Sequence, residues 1–216
     1  MKEETPEKKA VRAAKVLSED PALADLIEQH GPLTLIPADD VFNRLVVSVI
    51  RQQISMSAAA AIKERLFETV QITPKGVLAA ETDTLEKAGL SASKAEYLRS
   101  VATAFQANGY DRVTFEGMSD EEVMSELTEI RGVGPWTAKM VLLFGLGRPD
   151  VFPVEDLGIR RGMELVCEKQ VEKAEPGKRG NNDHGKMTRA EMRTRAEDWR
   201  PYRSYASLYL WKAYEG

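Results

Sequence analysis

Cysteine is nearly absent from this 216-residue chain, where Cys167 stands alone. An intrachain disulfide is therefore excluded, and so is an iron–sulfur cluster held by a set of cysteine ligands. Histidine is almost as scarce. His30 and His184 lie far apart and at no metal-like spacing, so no metal centre built from side chains is expected. No apolar run approaches the roughly 20 residues that a membrane-spanning helix needs. The Lys- and Glu-rich start also lacks the apolar core of a secretory signal. The expectation is a cytoplasmic protein with no membrane partner, nucleoid-associated in a prokaryote. An excess of basic charge is missing as well: 30 Lys and Arg face 34 Asp and Glu, for a formal net charge of -4. Duplex binding through a general cationic coat is disfavoured by that balance. A localised surface that uses helix amides stays open.

What is present reads as helices joined by short loops, an all-α fold. Val11, Ala14, Val16 and Leu17 suggest a first helix, and Asp20-Pro21 starts a second that ends near Gly31. Val41, Leu45, Val46, Val49 and Ile50 recur at helical spacing up to the polar break Arg51-Gln52-Gln53, and a strong helix former runs from Ser57 to Phe67. Thr73-Pro74 opens a short helix, Gly89 closes the next, and Ala95 to Phe105 forms an amphipathic one. Ser119 with Glu122 and Thr188 with Glu191 make two capping boxes. The last helix is expected over about Ser204 to Tyr214. Leu33 to Ile36 is the best strand candidate, too short to found a sheet. Glu172 to Met187 is irregular and charged; its Lys178, Arg179 and Lys186 either contact DNA or belong to a solvated loop.

Two segments carry chemistry. In Ile130-Arg131-Gly132-Val133-Gly134-Pro135-Trp136-Thr137-Ala138 one helix ends, the backbone turns through two glycines, and a second helix starts with Pro135 at a favoured first position. The glycines let a ligand approach the backbone. The unpaired amides of the new helix, with the Thr137 hydroxyl, suit a phosphate oxygen. The plain alternative is that Gly132 is a C-cap glycine in a turn between packed helices. Downstream, Phe152-Pro153-Val154-Glu155-Asp156 offers a carboxylate that either acts chemically or caps a helix running to about Val166.

The Leu-x-x-Ile-x-Gly-Val-Gly-x-x-Thr-Ala frame resembles the helix-hairpin-helix (HhH-GPD) DNA glycosylases, and more narrowly the AlkA-type 3-methyladenine DNA glycosylase II branch. Four further segments carry the resemblance from about Asp39 to Trp211: Gln52-Gln53-Ile54-Ser55, Leu90 to Leu98 with Lys94, the Asp156 segment, and Trp199 to Ala206. It implies two helical lobes with a cleft between them and no N-terminal mixed α/β lobe. One lobe would be built from residues 1–40 and 150–216, the other from 41–149 with the hairpin.

The resemblance also implies a division of labour. Asp156, not Glu155, would be the catalytic carboxylate, stabilising the positive charge that builds on the sugar as the N-glycosidic bond breaks. Trp136, Met140 and Trp211 would line a pocket for the extruded base, or else pack in the core. Gln53 would wedge into the duplex, or else cap a helix end; Gly132, Gly134 and Thr137 would hold the DNA backbone. Backbone carbonyls of Thr128, Ile130 and Val133 would bind Na⁺ or K⁺, no other cofactor being required. Bifunctional members carry a lysine where this chain has Trp136. Lys139 lies about 4.5 Å further along the helix and is rotated by roughly 60°. The expectation is a monomeric, monofunctional glycosylase acting on damaged double-stranded DNA, releasing alkylated bases and leaving an abasic site. Alternatives are a glycosylase for deaminated or oxidised bases, or a noncatalytic DNA-binding module in which Asp156 is only a cap.

Overall fold

The computed structural model describes residues 4–174 and 187–216. Among these residues the secondary structure is entirely helical, and no helix is long and apolar enough to cross a membrane. The chain divides into two compact units, one of residues up to 36 together with those from 148 on, the other of residues 37–147. The sequence placed the divisions at 40/41 and 149/150. The lead-in to the second unit starts earlier because the Ala38 N–H donates to the Phe144 carbonyl at 2.8 Å and Arg112 Nη1 donates to the Ala38 carbonyl at 2.9 Å.

The unit of residues 37–147 contains α3 (Val41–Arg51), α4 (Met56–Thr69), α5 (Pro74–Ala79), α6 (Thr82–Lys87), α7 (Ala92–Asn108), α8 (Arg112–Glu116), α9 (Asp120–Thr128) and α10 (Pro135–Phe144). Most of its helices begin where side chains satisfy the amides that a first turn leaves unpaired. Asp40 caps α3, Ser55 caps α4 and Ser91 caps α7, while Ser119 and Glu122 form the expected capping box of α9. The core is the apolar stripe of α3 (Leu45, Val46, Val49 and Ile50 all fully buried) packed against α7 and α10. Phe42, Phe105, Tyr110 and Phe115 add a cluster of edge-on and tilted aromatic rings. Helix α8 escaped the sequence reading because five residues are too few for a period to show; Asp111 starts it by accepting from the Thr114 N–H at 2.7 Å.

The other unit contains α1 (Pro6–Leu17), α2 (Pro21–His30), α11 (Leu157–Ala174), α12 (Arg189–Ala196), a 3-10 turn at Glu197–Trp199 and α13 (Arg203–Glu215). Helix α11 and helix α13 form its centre. A Cβ on Gly162 would stand 2.0 Å from the Leu210 carbonyl oxygen, so only glycine permits this approach of the two backbones. Three expectations change here. Helix α1 buries Ala10, Ala13, Ala14 and Leu17 while Val11 and Val16 face solvent, because the small residues allow the closer contact. Leu33–Ile36 pairs with no strand; the Tyr209 hydroxyl instead donates to the Gly31 carbonyl at 2.8 Å and accepts from the Leu33 N–H. Helix α11 runs two turns past Val166 to Ala174. Lys178, Arg179 and Lys186 lie outside the described residues.

Asp20 holds one corner of this unit. Its Oδ1 caps α2 through the Ala22 N–H, and its Oδ2 accepts from Trp199 Nε1 at 2.6 Å and from Arg195. Burial pushes its carboxyl up, but Arg195, the Ala22 amide and Trp199 outweigh that and hold it below the usual carboxylate range. A depressed folded-state pKa contributes stability that is present above the unfolded pKa and is lost as pH falls through the folded value. Asp20→Asn keeps the cap acceptor and removes the charge, so it is expected to cost about 1.5–3 kcal/mol at neutral pH. That corresponds to a fall of roughly 4–8 °C in Tm, with a shallower loss of stability on acidification than in the wild type. Thermal melts at pH 7 and pH 3.5 check both parts, and an unchanged Tm at pH 7 would sink the assignment.

Candidate nucleic-acid interface and active carboxylate

In the unit of residues 37–147 the hairpin and the turn after α3 are built as one piece. Helix α9 ends at Thr128, and the backbone reverses at Gly132 with φ +90, a left-handed conformation that side-chain-bearing residues avoid. Gly132 has a second constraint, since a Cβ there would lie 2.1 Å from Cγ of Tyr97. Gly134 is under neither constraint. Its φ is -94, an ordinary value, and a Cβ added there would meet nothing within 4 Å. Gly134 therefore keeps open space in front of the backbone at the point where α10 begins with no side-chain cap, which is the form of a helix N-terminus that can take a phosphate.

Gln52 joins the two turns. Its Nε2 donates to the Gly132 carbonyl and to Thr137 Oγ1, both at 2.9 Å. Thr137 is only 2% exposed, so its hydroxyl, expected as a phosphate donor, is turned inward and anchors Gln52 instead. Lys94 secures the same turn from below: Nζ donates to the Ile50 carbonyl at 2.6 Å and to the Gln52 carbonyl at 2.8 Å, and burial draws its ammonium below the usual lysine range. The result is a fixed platform for Gln53, which has φ +57, the sole described residue other than glycine with positive φ, and an exposed side chain. A positive φ at an exposed residue with a side chain persists only where the surrounding structure holds it, as the pinned turn does here. Ile54, 38% exposed, sits beside it. Trp136 is half-buried, whereas Met140, one turn further along α10, is 2% exposed and packs in the core instead of lining a pocket as expected.

In the other unit Asp156 immediately precedes α11. Its Oδ1 accepts from the Ile159 N–H at 3.0 Å, the geometry of a helix cap, and from Trp211 Nε1 at 2.9 Å. Cap and aimed carboxylate are thus one arrangement. Trp211, expected to line a pocket, also positions Asp156. Gly158 makes room for this contact, because a Cβ there would stand 2.9 Å from Cδ1 of Trp211 and 3.2 Å from Asp156 Oδ1. The segment leading to Asp156 is clamped by the start of α13. Arg203 grips Asp150 with Nε on Oδ1 at 2.8 Å and Nη2 on Oδ2 at 3.1 Å, and Arg200 adds a third contact at 2.9 Å. Ser204, fully buried, donates to the Arg148 carbonyl and accepts from the Val151 N–H. Glu155 pairs with Arg193 at 3.4 Å. The clamping roles of Gln52, Lys94, Gly158, Arg203 and Ser204 were not read from the sequence, although all five fall within the segments that carried the resemblance.

The description HhH-GPD superfamily base excision DNA repair protein belongs to a family model that matches residues 46–175. The chain is 34% identical over 230 residues to the DNA-3-methyladenine glycosylase of Saccharomyces cerevisiae, covering 91% of this chain and 77% of that protein. To YfjP of Bacillus subtilis it is 32% identical over 203 residues, covering 90% of this chain and 66% of that protein. The 3-methyladenine DNA glycosylase of Schizosaccharomyces pombe, solved in complex with abasic DNA, superimposes with a TM-score of 0.80 at 28% identity, over 93% of this chain and 95% of that one. With the matched region containing the hairpin, the Gln53 turn and Asp156, this chain belongs to the HhH-GPD superfamily of base excision DNA repair proteins.

Proposed function

We propose that the protein is a monofunctional DNA glycosylase that hydrolyses the N-glycosidic bond of alkylated bases of the 3-methyladenine type and leaves an abasic site. The observation that carries this reading is Asp156, whose Oδ1 is fixed twice over, by the Ile159 N–H and by Trp211 Nε1. A carboxylate so fixed needs no reorganisation as positive charge develops on the deoxyribose, and each ~1.36 kcal/mol of stabilisation specific to that state is worth tenfold in rate. The start of α10, with Gly132 and Gly134 before it, holds the DNA backbone, and Gln53 enters the space left by the extruded nucleotide. Trp136, half-buried in the first turn of α10, receives the base. An N-alkylated purine carries positive charge, which favours aromatic faces and also makes the base a better leaving group. With Trp136 standing where bifunctional relatives carry a lysine, there is no amine at that position to form a Schiff base with the sugar, and the strand stays intact.

The working species is a monomer on damaged double-stranded DNA, in the cytoplasm. The carbonyls of Thr128, Ile130 and Val133 would hold Na⁺ or K⁺ at the hairpin. What supports the reading is the donor chemistry, three backbone oxygens close in sequence; the Ile130 carbonyl also accepts the Val133 N–H at 3.0 Å. The test is incubation with duplexes that each carry one defined lesion: an N-alkylpurine, hypoxanthine, uracil or 8-oxoguanine. Free base from the N-alkylpurine duplex is expected, with strand breaks only after alkali or heat. No free base from any lesion would leave a noncatalytic binding module, and nicking without alkali would refute monofunctional action.

A further inference from the structure

Gln53 keeps its positive φ because the residue before it is held at both ends. The φ angle is measured against the preceding peptide plane, and that plane carries the Gln52 carbonyl oxygen. Lys94 Nζ donates to this oxygen at 2.8 Å and to the Ile50 carbonyl at 2.6 Å, so one ammonium spans the last turn of α3 and the plane that sets Gln53. Among the described residues Lys94 meets these main-chain oxygens and no carboxylate, so its charge goes into holding a conformation. The Gln52 side chain is tied at its other end, where Nε2 donates to the Gly132 carbonyl and to Thr137 Oγ1 of the hairpin. Helix α7 supports both turns. Tyr97, three residues after Lys94 and so its neighbour on that helix, packs directly against Gly132, and Glu96 pairs with Arg131 at 2.6 Å. A residue other than glycine released from such restraints returns to negative φ, which would swing the Gln53 side chain to another direction.

We infer that Lys94 and Gln52 are positioning residues for nucleotide extrusion: they hold Gln53 in the backbone conformation that aims it, and so set the equilibrium between the stacked and the extruded nucleotide. This rests on the reading of Gln53 as the residue that enters the duplex. Extrusion costs unstacking and unpairing energy, and a side chain that fills the vacated space offsets part of it. A wedge that is already ordered offsets more than one that must be ordered on contact, because fixing backbone and side chain has its own entropic cost. Loosening the turn therefore lowers the extruded fraction. Capture of the DNA backbone and cleavage of the glycosidic bond depend on other groups. The start of α10 is uncapped whether or not Gln53 is aimed, and Asp156 and Trp211 belong to the other unit.

The experiment reads extrusion apart from chemistry. A duplex carries 7-methylguanine on a 2′-fluorinated sugar, whose glycosidic bond stays intact because fluorine destabilises positive charge on the ring, and a 2-aminopurine beside it that brightens on unstacking. The ratio of extruded to stacked nucleotide at saturating protein is expected to fall about tenfold or more in Lys94→Met and in Gln52→Met, which keep side-chain bulk and remove the donors. Affinity for undamaged duplex should stay within about threefold, since phosphate contacts are untouched. Lys94→Arg, which keeps a cationic donor, restores most of the signal. In a Gln53→Ala background Lys94→Met should add no more than about a twofold loss, because no wedge is left to aim. Gln52→Met carries the same test should Lys94→Met fail to fold. An undiminished ratio in the folded Met variants overturns the proposal, and so does a Lys94→Met effect that persists in full without Gln53. A wild type that leaves the 2-aminopurine stacked, or a Gln53→Ala protein that extrudes as well as wild type, overturns both the wedge and the proposal. Extrusion by wild type with no free base from ordinary 7-methylguanine duplex supports the positioning role and overturns the glycosylase reading alone.

Discussion

Asp156→Asn is expected to lower single-turnover base release by about 10³-fold or more while leaving the fold nearly unchanged. The asymmetry follows from which atom does which task. Oδ1 accepts from the Ile159 N–H and from Trp211 Nε1, and the Asn side chain retains an oxygen able to accept both. The start of α11 and the seat of Trp211 therefore persist, and Tm is expected to move by no more than about 2 °C. What disappears is the negative charge that the proposed function places beside the sugar. Removing one neutral donor from an oxyanion hole costs ~10²–10³ in rate, and a whole charge opposed to an oxocarbenium-like centre is worth at least the upper end of that range. Binding to lesion-containing duplex should hold within a few-fold, since the hairpin amides and Gln53 lie on other elements. Release within tenfold of wild type would remove Asp156 from the chemistry. A fall in Tm of more than about 10 °C would instead make it a structural residue.

The sequence was most informative where the determinants are local. Ser119 with Glu122 and Thr188 with Glu191 both start helices through contacts three residues away, so the signal fits inside a short window. The same locality made the hairpin legible, since Gly132 needs positive φ and Pro135 needs a first-turn position. Contacts across long sequence separation were not legible. Nothing near Thr137 says that its hydroxyl meets Gln52, 85 residues earlier, because a threonine in a first helical turn has the same local signature whether it faces a phosphate or a buried amide. Trp211 could be assigned to a pocket on bulk and aromaticity, but its bond to Asp156 spans 55 residues and depends on the glycine at 158. In α1, hydrophobicity ranked Val11 and Val16 above alanines that pack more closely and are in fact buried. Arg44 read as one polar residue in a helical stripe, since its sequence neighbours do not reveal a buried guanidinium over Phe144.

Gly132→Ala is expected to be among the most destabilising single changes in the protein, at about 3–5 kcal/mol. Two independent costs meet at this residue. A backbone held at φ +90 is strained for any L side chain, a cost of roughly 1–3 kcal/mol. The added methyl would also fall 2.1 Å from Cγ and 2.5 Å from Cβ of Tyr97, near the root of that side chain, where rotation gives little relief; overpacking of this kind costs typically ~1–3 kcal/mol. Because the Gly132 carbonyl accepts from Gln52 Nε2, any shift of the turn passes to the platform under Gln53. DNA affinity is therefore expected to fall at least tenfold even at temperatures where the variant is folded. The two costs can be separated with Tyr97→Ala. Adding that change to Gly132→Ala removes the clash but not the strain, so the double variant should be more stable than the sum of the single effects predicts, by about 1–2 kcal/mol. Urea unfolding of the four proteins supplies the cycle. Strict additivity would mean that Tyr97 moves aside freely and that backbone conformation alone demands glycine at 132, while a Gly132→Ala protein as stable as wild type would contradict the hairpin geometry itself.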